Sequence, residues 1–229
     1  MVSTPEFCFL QMASQLTLVQ LIMLGYELCG TYSLPNQSEL PVAAPGFYKR
    51  QPLTSKKKLS ALLANMPNIA GHQKATRALQ YIQDGSASPM ETRLAILLCL
   101  PSKMGGYGFA LPNFNVRIDL PIAAQREIGK AFLVCDLFWP ETKVAVEYDS
   151  NLYHTGAKRI ADDSKRRLYL RLTGIMITSV TNDQIISNAG IEAISAVLAI
   201  DMGRRTRPHN RIFLAAREEL RRQLFTYSA

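Results

Sequence analysis

The chain has 229 residues, 48% of them hydrophobic, and a net charge of +8. This composition excludes a disordered polar chain and suits one domain with an appendage, or two small ones. Residues 1–48 hold Glu6, Glu27 and Glu39 and no lysine or arginine, so the rest of the chain carries +11. Such asymmetry points to nucleic acid as the partner of the later part, with a solvated basic surface as the plainer reading.

In chain order, Thr4-Pro5-Glu6 is a helix start: a capping hydroxyl, a proline in the first turn and an acid at the positive helix end. Thr17-x-x-Gln20 is a capping box opening a second helix, and Gly25 and Gly30 end that region. Pro35, Pro41, Pro45 and Pro52 make residues 33–54 an irregular connection. Thr54 is placed to cap a helix running to Asn65. Lys56, Lys57 and Lys58 fall in its first turn, where the helix dipole disfavours cations. A bound phosphate or simple solvation would each answer that repulsion. Residues 72–84 read as a helix ended by Gly85, so residues 1–85 form a small helical domain.

Ser88-Pro89-Met90-Glu91 is the sharpest helix start in the chain, with Leu94, Leu97 and Leu98 as its core face. The glycines of residues 101–112 lack the strand, helix and lysine of a phosphate-binding loop. Residues 115–120 alternate as a strand, and 124–129 are a connection. Residues 131–138 and 143–148 are rich in β-branched and aromatic side chains, and Pro140-Glu141-Thr142 between them makes a β-hairpin. Residues 158–173 read as a basic helix, 175–180 as a buried strand and 188–202 as a helix over the sheet. The domain spans residues 86–203. The tail, 204–229, is arginine-rich, with a helix from Arg211 whose arginines face outward.

Asp136 lies within the first hairpin strand. Glu147 and Asp149 share a face of the second, two residues apart. Asp136, the strand Val-Ala-Val-Glu147-Tyr-Asp149, His154, and Asp163-x-x-Arg166 followed by Leu170 and Gly174 resemble the PD-(D/E)XK nucleases. The branch they are most similar to is that of the very short patch repair endonucleases. The resemblance runs from about Ser88 to Gly203. It implies an α/β (α+β) restriction-endonuclease-like core: helix, three-stranded meander, helix, strand, helix.

It also implies a metal-dependent endonuclease acting on DNA. Hydrolysis of a phosphodiester needs a positioned water, neutralised phosphate charge and a stabilised leaving oxygen, which magnesium or manganese can supply. Asp136, Glu147 and Asp149 are the expected metal ligands, or Asp136 and Glu147 pair with Lys165 or Arg166. The family lysine two residues after the acid is Asp149 here. His154 is the candidate to take over proton transfer, or else a loop histidine. Glu91 either closes its capping box or supplies the acid that many nucleases of this fold carry on the first core helix. Lys158, Lys165, Arg166, Arg167 and Arg171 are the expected nucleic-acid contacts.

A second reading, a catalytically silent DNA-binding regulator or antitoxin, rests on the missing lysine. It rests also on a similarity of the amino-terminal part to regulators beside abortive-infection systems. Cys8, Cys29, Cys99 and Cys135 are spread without a CxxC spacing, which argues against zinc and for free thiols in a reducing cytoplasm. The apolar run 16–24 is too short to span a bilayer, and no membrane association is expected.

Overall fold

The computed structural model describes residues 3–35, 46–149, 168–169, 173–205 and 210–225. The chain divides into two compact units, Met1–Leu111 with His209–Ala229, and Pro112–Pro208. This differs from the expected divisions at residues 85 and 203.

The first unit is helical. Thr4 caps α1 (Pro5–Met12), accepting the Phe7 N–H at 3.3 Å. Thr17 and Gln20 form the expected reciprocal box at the start of α2 (Leu18–Cys29). The cap of α3 (Lys56–Asn65) is Ser55 rather than Thr54. Thr54 is turned inward, where its hydroxyl donates to Glu6 Oε1 at 2.5 Å. The Asp84 carboxylate accepts the Lys56 N–H at 2.7 Å, so the chain itself supplies an anion to the helix start that carries the lysine triplet. Helix α4 (His72–Leu79) is shorter than the expected 72–84. Strands β1 (Tyr32–Ser33) and β2 (Tyr48–Lys49) pair antiparallel at the two ends of the proline-rich stretch, a pairing that local sequence does not announce.

Helix α5 (Pro89–Cys99) explains the shifted boundary. Leu94 through Cys99 are all buried, and a helix apolar on every side needs partners on every side. It packs with α2 and with the carboxy-terminal helix, whose range is Arg211–Phe225. That helix buries Phe213, Leu220 and Leu224. Its approach to the turn Ser102–Met104 depends on Gly105, in the left-handed region at φ 88°, where a Cβ would run into the Ala216 carbonyl oxygen.

The second unit holds β3 (Asn113–Asp119), α6 (Ile122–Ile128), β4 (Phe132–Trp139), β5 (Val144–Asp149), β6 (Met176–Thr181), α7 (Asn182–Ile186) and α8 (Asn188–Asp201). The sheet order is β3-β4-β5-β6: an antiparallel meander whose last strand is paired in parallel by β6. The unit is thus a mixed α/β assembly, and among its described residues it opens on a strand, since α5 belongs to the first unit. Residues 124–129, expected as a connection, lie mostly within α6, which follows Pro121 and stops at Gly129 with φ 71°. Val144, Ala145 and Val146 are completely buried, so both sheet faces are covered at mid-β5. Leu133, Cys135, Phe138, Ala145 and Ile175 form the core with Leu120 and Ala124. Thr181 and Gln184 box the start of α7, and α8 covers β6 with Ile191, Ile194 and Leu198 buried. Among the described residues no helix is long and apolar enough to cross a membrane.

Candidate active site

The β4–β5 ladder pairs Trp139 with Val144, Phe138 with Ala145 and Leu137 with Val146. One step further, the same register sets Asp136 across from Glu147. Beside it, Asp136 Oδ2 accepts the Tyr148 N–H at 2.7 Å. The strand beside it thus helps to set the direction of this carboxylate. Directly opposed residues of an antiparallel pair lie roughly 4.5–5.5 Å apart at Cα, with both side chains on one face. Asp136 and Glu147 are both half-buried.

Neighbouring strands extend this line. On the far side, Glu147 is paired with Ser179 of β6. On the near side, β3 pairs Phe114 with Leu137 and Val116 with Cys135, which brings Asn115 to the position opposite Asp136. The result is a polar row across the sheet: Asn115, Asp136, Glu147, Ser179. On one side of it lie the buried Phe138 and Ala145. On the other lie Val134, 37% exposed, and Phe132, 39% exposed, with the Arg117 guanidinium 4.0 Å from the Phe132 ring centroid. Arg117 also pairs with Asp119 at 2.8 Å. The row thus sits where a closed core meets an accessible sheet face.

Asp149, paired with Thr181, lies one row along from Glu147, about 7 Å by strand geometry. Among the described residues no three His, Cys, Asp or Glu side chains gather closely enough to hold a metal ion. Asp136 and Glu147 are the two of the three expected ligands that the register sets across from each other. Magnesium commonly takes one or two carboxylates and keeps several waters, so the pair fits that ion without a third acid.

Glu91 belongs to the first unit. Its Oε2 accepts the Ala87 N–H at 2.9 Å, its Oε1 accepts the Ser88 hydroxyl at 2.9 Å, and its own N–H donates to Ser88 Oγ at 3.2 Å. Ser88 caps the helix, and the Glu91 carboxylate reaches back to the Ala87 N–H and the Ser88 hydroxyl rather than to the Ser88 N–H that a reciprocal capping box would use. His154, Lys158, Lys165, Arg166, Arg167 and Arg171 lie outside the described residues.

The carboxy-terminal helix also departs from expectation, because its arginines do not all face outward. Arg217 is buried, donates to Tyr107 Oη at 3.0 Å and lies 5.3 Å from the Phe213 ring centroid. Arg93 and Arg221 lie 5.5 and 5.3 Å from the Phe225 centroid. Burial, and then the charge of Arg217, lower the Arg221 pKa. Sequence reasoning missed Asn115 and the Tyr148 amide. An asparagine amid an alternating strand, where that residue is depleted, was the available signal for the first.

The chain matches no protein-family profile, no curated protein and no solved structure.

Proposed function

We propose that the chain is a metal-dependent endonuclease that hydrolyses DNA phosphodiester bonds, on a restriction-endonuclease-like core. The observation that carries this reading is the facing of Asp136 and Glu147 in the β4–β5 register, with Asp136 held by the Tyr148 amide. The meander followed by a parallel strand is the strand sequence that the resemblance to PD-(D/E)XK nucleases implies, which supports the same reading. The leading helix of that core is not part of the sheet unit, and Glu91 has no role in the proposed chemistry.

A divalent cation, when bound, neutralises phosphate charge and makes a water more acidic. Asp136 and Glu147 would hold it, with the Tyr148 amide keeping the Asp136 carboxylate from turning away. Asp149, one row along, adds negative potential near the pair. His154 is the proposed proton-transfer group, and Lys158, Lys165, Arg166, Arg167 and Arg171 the proposed phosphate contacts.

A second reading, a silent DNA-binding protein, is favoured by Asp149 at the position of the family lysine. The two are separated by incubating the protein with duplex, nicked and single-stranded DNA in magnesium or manganese. Cleavage that is lost in Asp136→Asn and in Glu147→Gln supports the nuclease. Binding without cleavage on every substrate supports the silent protein.

A further inference from the structure

We propose that the helix pair α3–α4 of the helical unit is a second duplex-DNA contact, with α4 entering the major groove. Of the reading above it keeps only DNA as the partner, and it needs neither the metal nor the carboxylate row. The charge pattern carries it. Residues 40–83 contain seven lysines and arginines and no aspartate or glutamate. At the chain's own 18 acids in 229 residues, those 44 positions would hold about three. The next acid along, Asp84, accepts the Lys56 N–H at 2.7 Å, and the one after it, Glu91, accepts the Ala87 N–H at 2.9 Å. A helix face that is only solvated is commonly laced with charges of both signs. This stretch is built without the negative half, and such a one-signed surface attracts a polyanion.

The fold gathers this charge on one helical hairpin. His72 Nε2 lies 3.0 Å from the Leu63 carbonyl oxygen, so the start of α4 meets the end of α3. Asp84 meets Lys56, so the chain just past α4 returns to the start of α3 and its lysine triplet. The pair is therefore antiparallel, and the exposed Lys57 and Lys58 lie toward the carboxy-terminal end of α4. On α4, Ala75 and Ala78 are buried, and the Lys74 amine donates to the Leu16 carbonyl oxygen at 2.8 Å. Gln73, Thr76, Arg77 and Gln80 are exposed, and their spacing of i, i+3, i+4 and i+7 puts them on one face. Arg77 reaches Met104 Sδ at 3.6 Å, which brings the exposed Lys103 into the same neighbourhood. Amide and guanidinium groups are those that match base edges in the major groove, glutamine with adenine and arginine with guanine, and threonine offers a hydroxyl and a methyl. A helix about 10–12 Å across fits that groove, which is about 12 Å wide. The lysines on either side then fall to phosphates, which position without reading sequence.

The experiment is titration of a short fluorescent DNA duplex with the full chain, read by anisotropy over a range of salt. EDTA is present so that no cleavage intervenes, and thermal melts accompany it. Lys57→Ala, Lys58→Ala and Lys103→Ala are combined in one variant; all three side chains are exposed, so it should melt close to wild type. The slope of log affinity against log salt should fall by about 2–3 units, and the same three positions changed to arginine should keep it. At saturating protein, the wild type should shield guanine N7, a major-groove atom, from methylation by dimethyl sulfate, and Arg77→Ala should lose that shielding. A slope that the triple alanine variant leaves unchanged, while the wild type binds duplex, overturns this inference and leaves DNA binding by residues 158–171 standing. Guanine N7 methylated equally with and without protein, or a single strand bound as tightly as the duplex, overturns the groove assignment. A wild-type chain that binds no duplex overturns DNA as the partner, and both proposals with it.

Discussion

Asp136 Oδ2 accepts the Tyr148 N–H at 2.7 Å, tying the side chain of one hairpin strand to the backbone of the next. A carboxylate held by a backbone N–H is a charge-assisted bond, stronger than a neutral one. It also restricts the rotamers of Asp136, so the cost of fixing this acid is met in folding rather than in binding. The contact orders the acid before any ligand arrives.

The start of α5 gives the first prediction. Glu91→Ala removes the acceptor of the half-buried Ala87 N–H and of the Ser88 hydroxyl. Loss of a cap of this kind costs about 1–2 kcal/mol. Chemical denaturation should show that loss. DNA cleavage per folded molecule should not change, and a variant that melts normally but cannot cleave would return Glu91 to the catalytic set.

Gly105 supplies a second. An alanine there meets both the left-handed backbone and the Ala216 carbonyl oxygen. Gly105→Ala should destabilise the helical unit by more than about 1 kcal/mol, through the carboxy-terminal helix. Proteolysis is the direct measurement: cleavage should begin in Arg211–Phe225. A variant as resistant as the wild type would mean that the helix can shift without loss.

Glu6 gives a pH-dependent prediction. The Thr54 hydroxyl holds its carboxyl below the ordinary glutamate range, against burial, which pushes it up. A depressed carboxylate stabilises the fold fully above its unfolded pKa, about 4.3, and loses that contribution as pH falls through the folded value. Thr54→Val should therefore cost about 1 kcal/mol at neutral pH, at the low end for a bond to a charged group because Glu6 is largely solvated. The difference from wild type should narrow below about pH 4. A gap that stays constant down to pH 3 would assign the loss to packing of Thr54 alone.

Nucleic-acid binding is tested by salt. Each phosphate contact adds about 0.9 to the slope of log affinity against log salt on duplex DNA. Arg166→Ala, Arg167→Ala and Arg171→Ala together should flatten the slope by about 2–3 units. An unchanged slope would move the contact surface elsewhere.

What the sequence made legible was local. Thr4, Thr17 and Ser88 are helix caps because a hydroxyl three residues before a free N–H needs nothing distant to act. The hairpin was legible because Pro140-Glu141-Thr142 interrupts two β-branched runs. The register that faces Asp136 with Glu147 follows from that turn. What escaped depended on partners far along the chain. Tyr32 pairs with Lys49 across the proline-rich stretch. Helix α5 joins a helix more than 100 residues later, because its apolar surface is wider than one sheet face could cover. The short α6 carries only Ala124 as a buried residue, too weak a periodicity to announce a helix. The positive φ of Asn115, 50°, was hidden by its own strand, since alternation predicts a face and not a backbone sign.

The last prediction concerns the acid pair. Asp136→Asn can keep an oxygen on the Tyr148 N–H, and Glu147→Gln is the same length as glutamate, so neither should unfold the sheet. The neutral bond is weaker than the charged one, while two facing acids no longer repel each other. These effects oppose, and stability should stay within about 1 kcal/mol of wild type. Each substitution should abolish magnesium-dependent cleavage and leave DNA affinity unchanged or tighter, since a charge that repels phosphate is gone. His154→Ala should slow cleavage by about 10²–10⁴-fold if it carries the proton. Asp149→Ala separates the pair from the trio. With Asp136 and Glu147 as the ligands and Asp149 one row away, its loss should leave the magnesium midpoint within about threefold of wild type, whereas loss of a true ligand should raise it about tenfold or more. A tenfold rise would show that the three acids act as one site, and would restore the three-carboxylate reading drawn from the sequence.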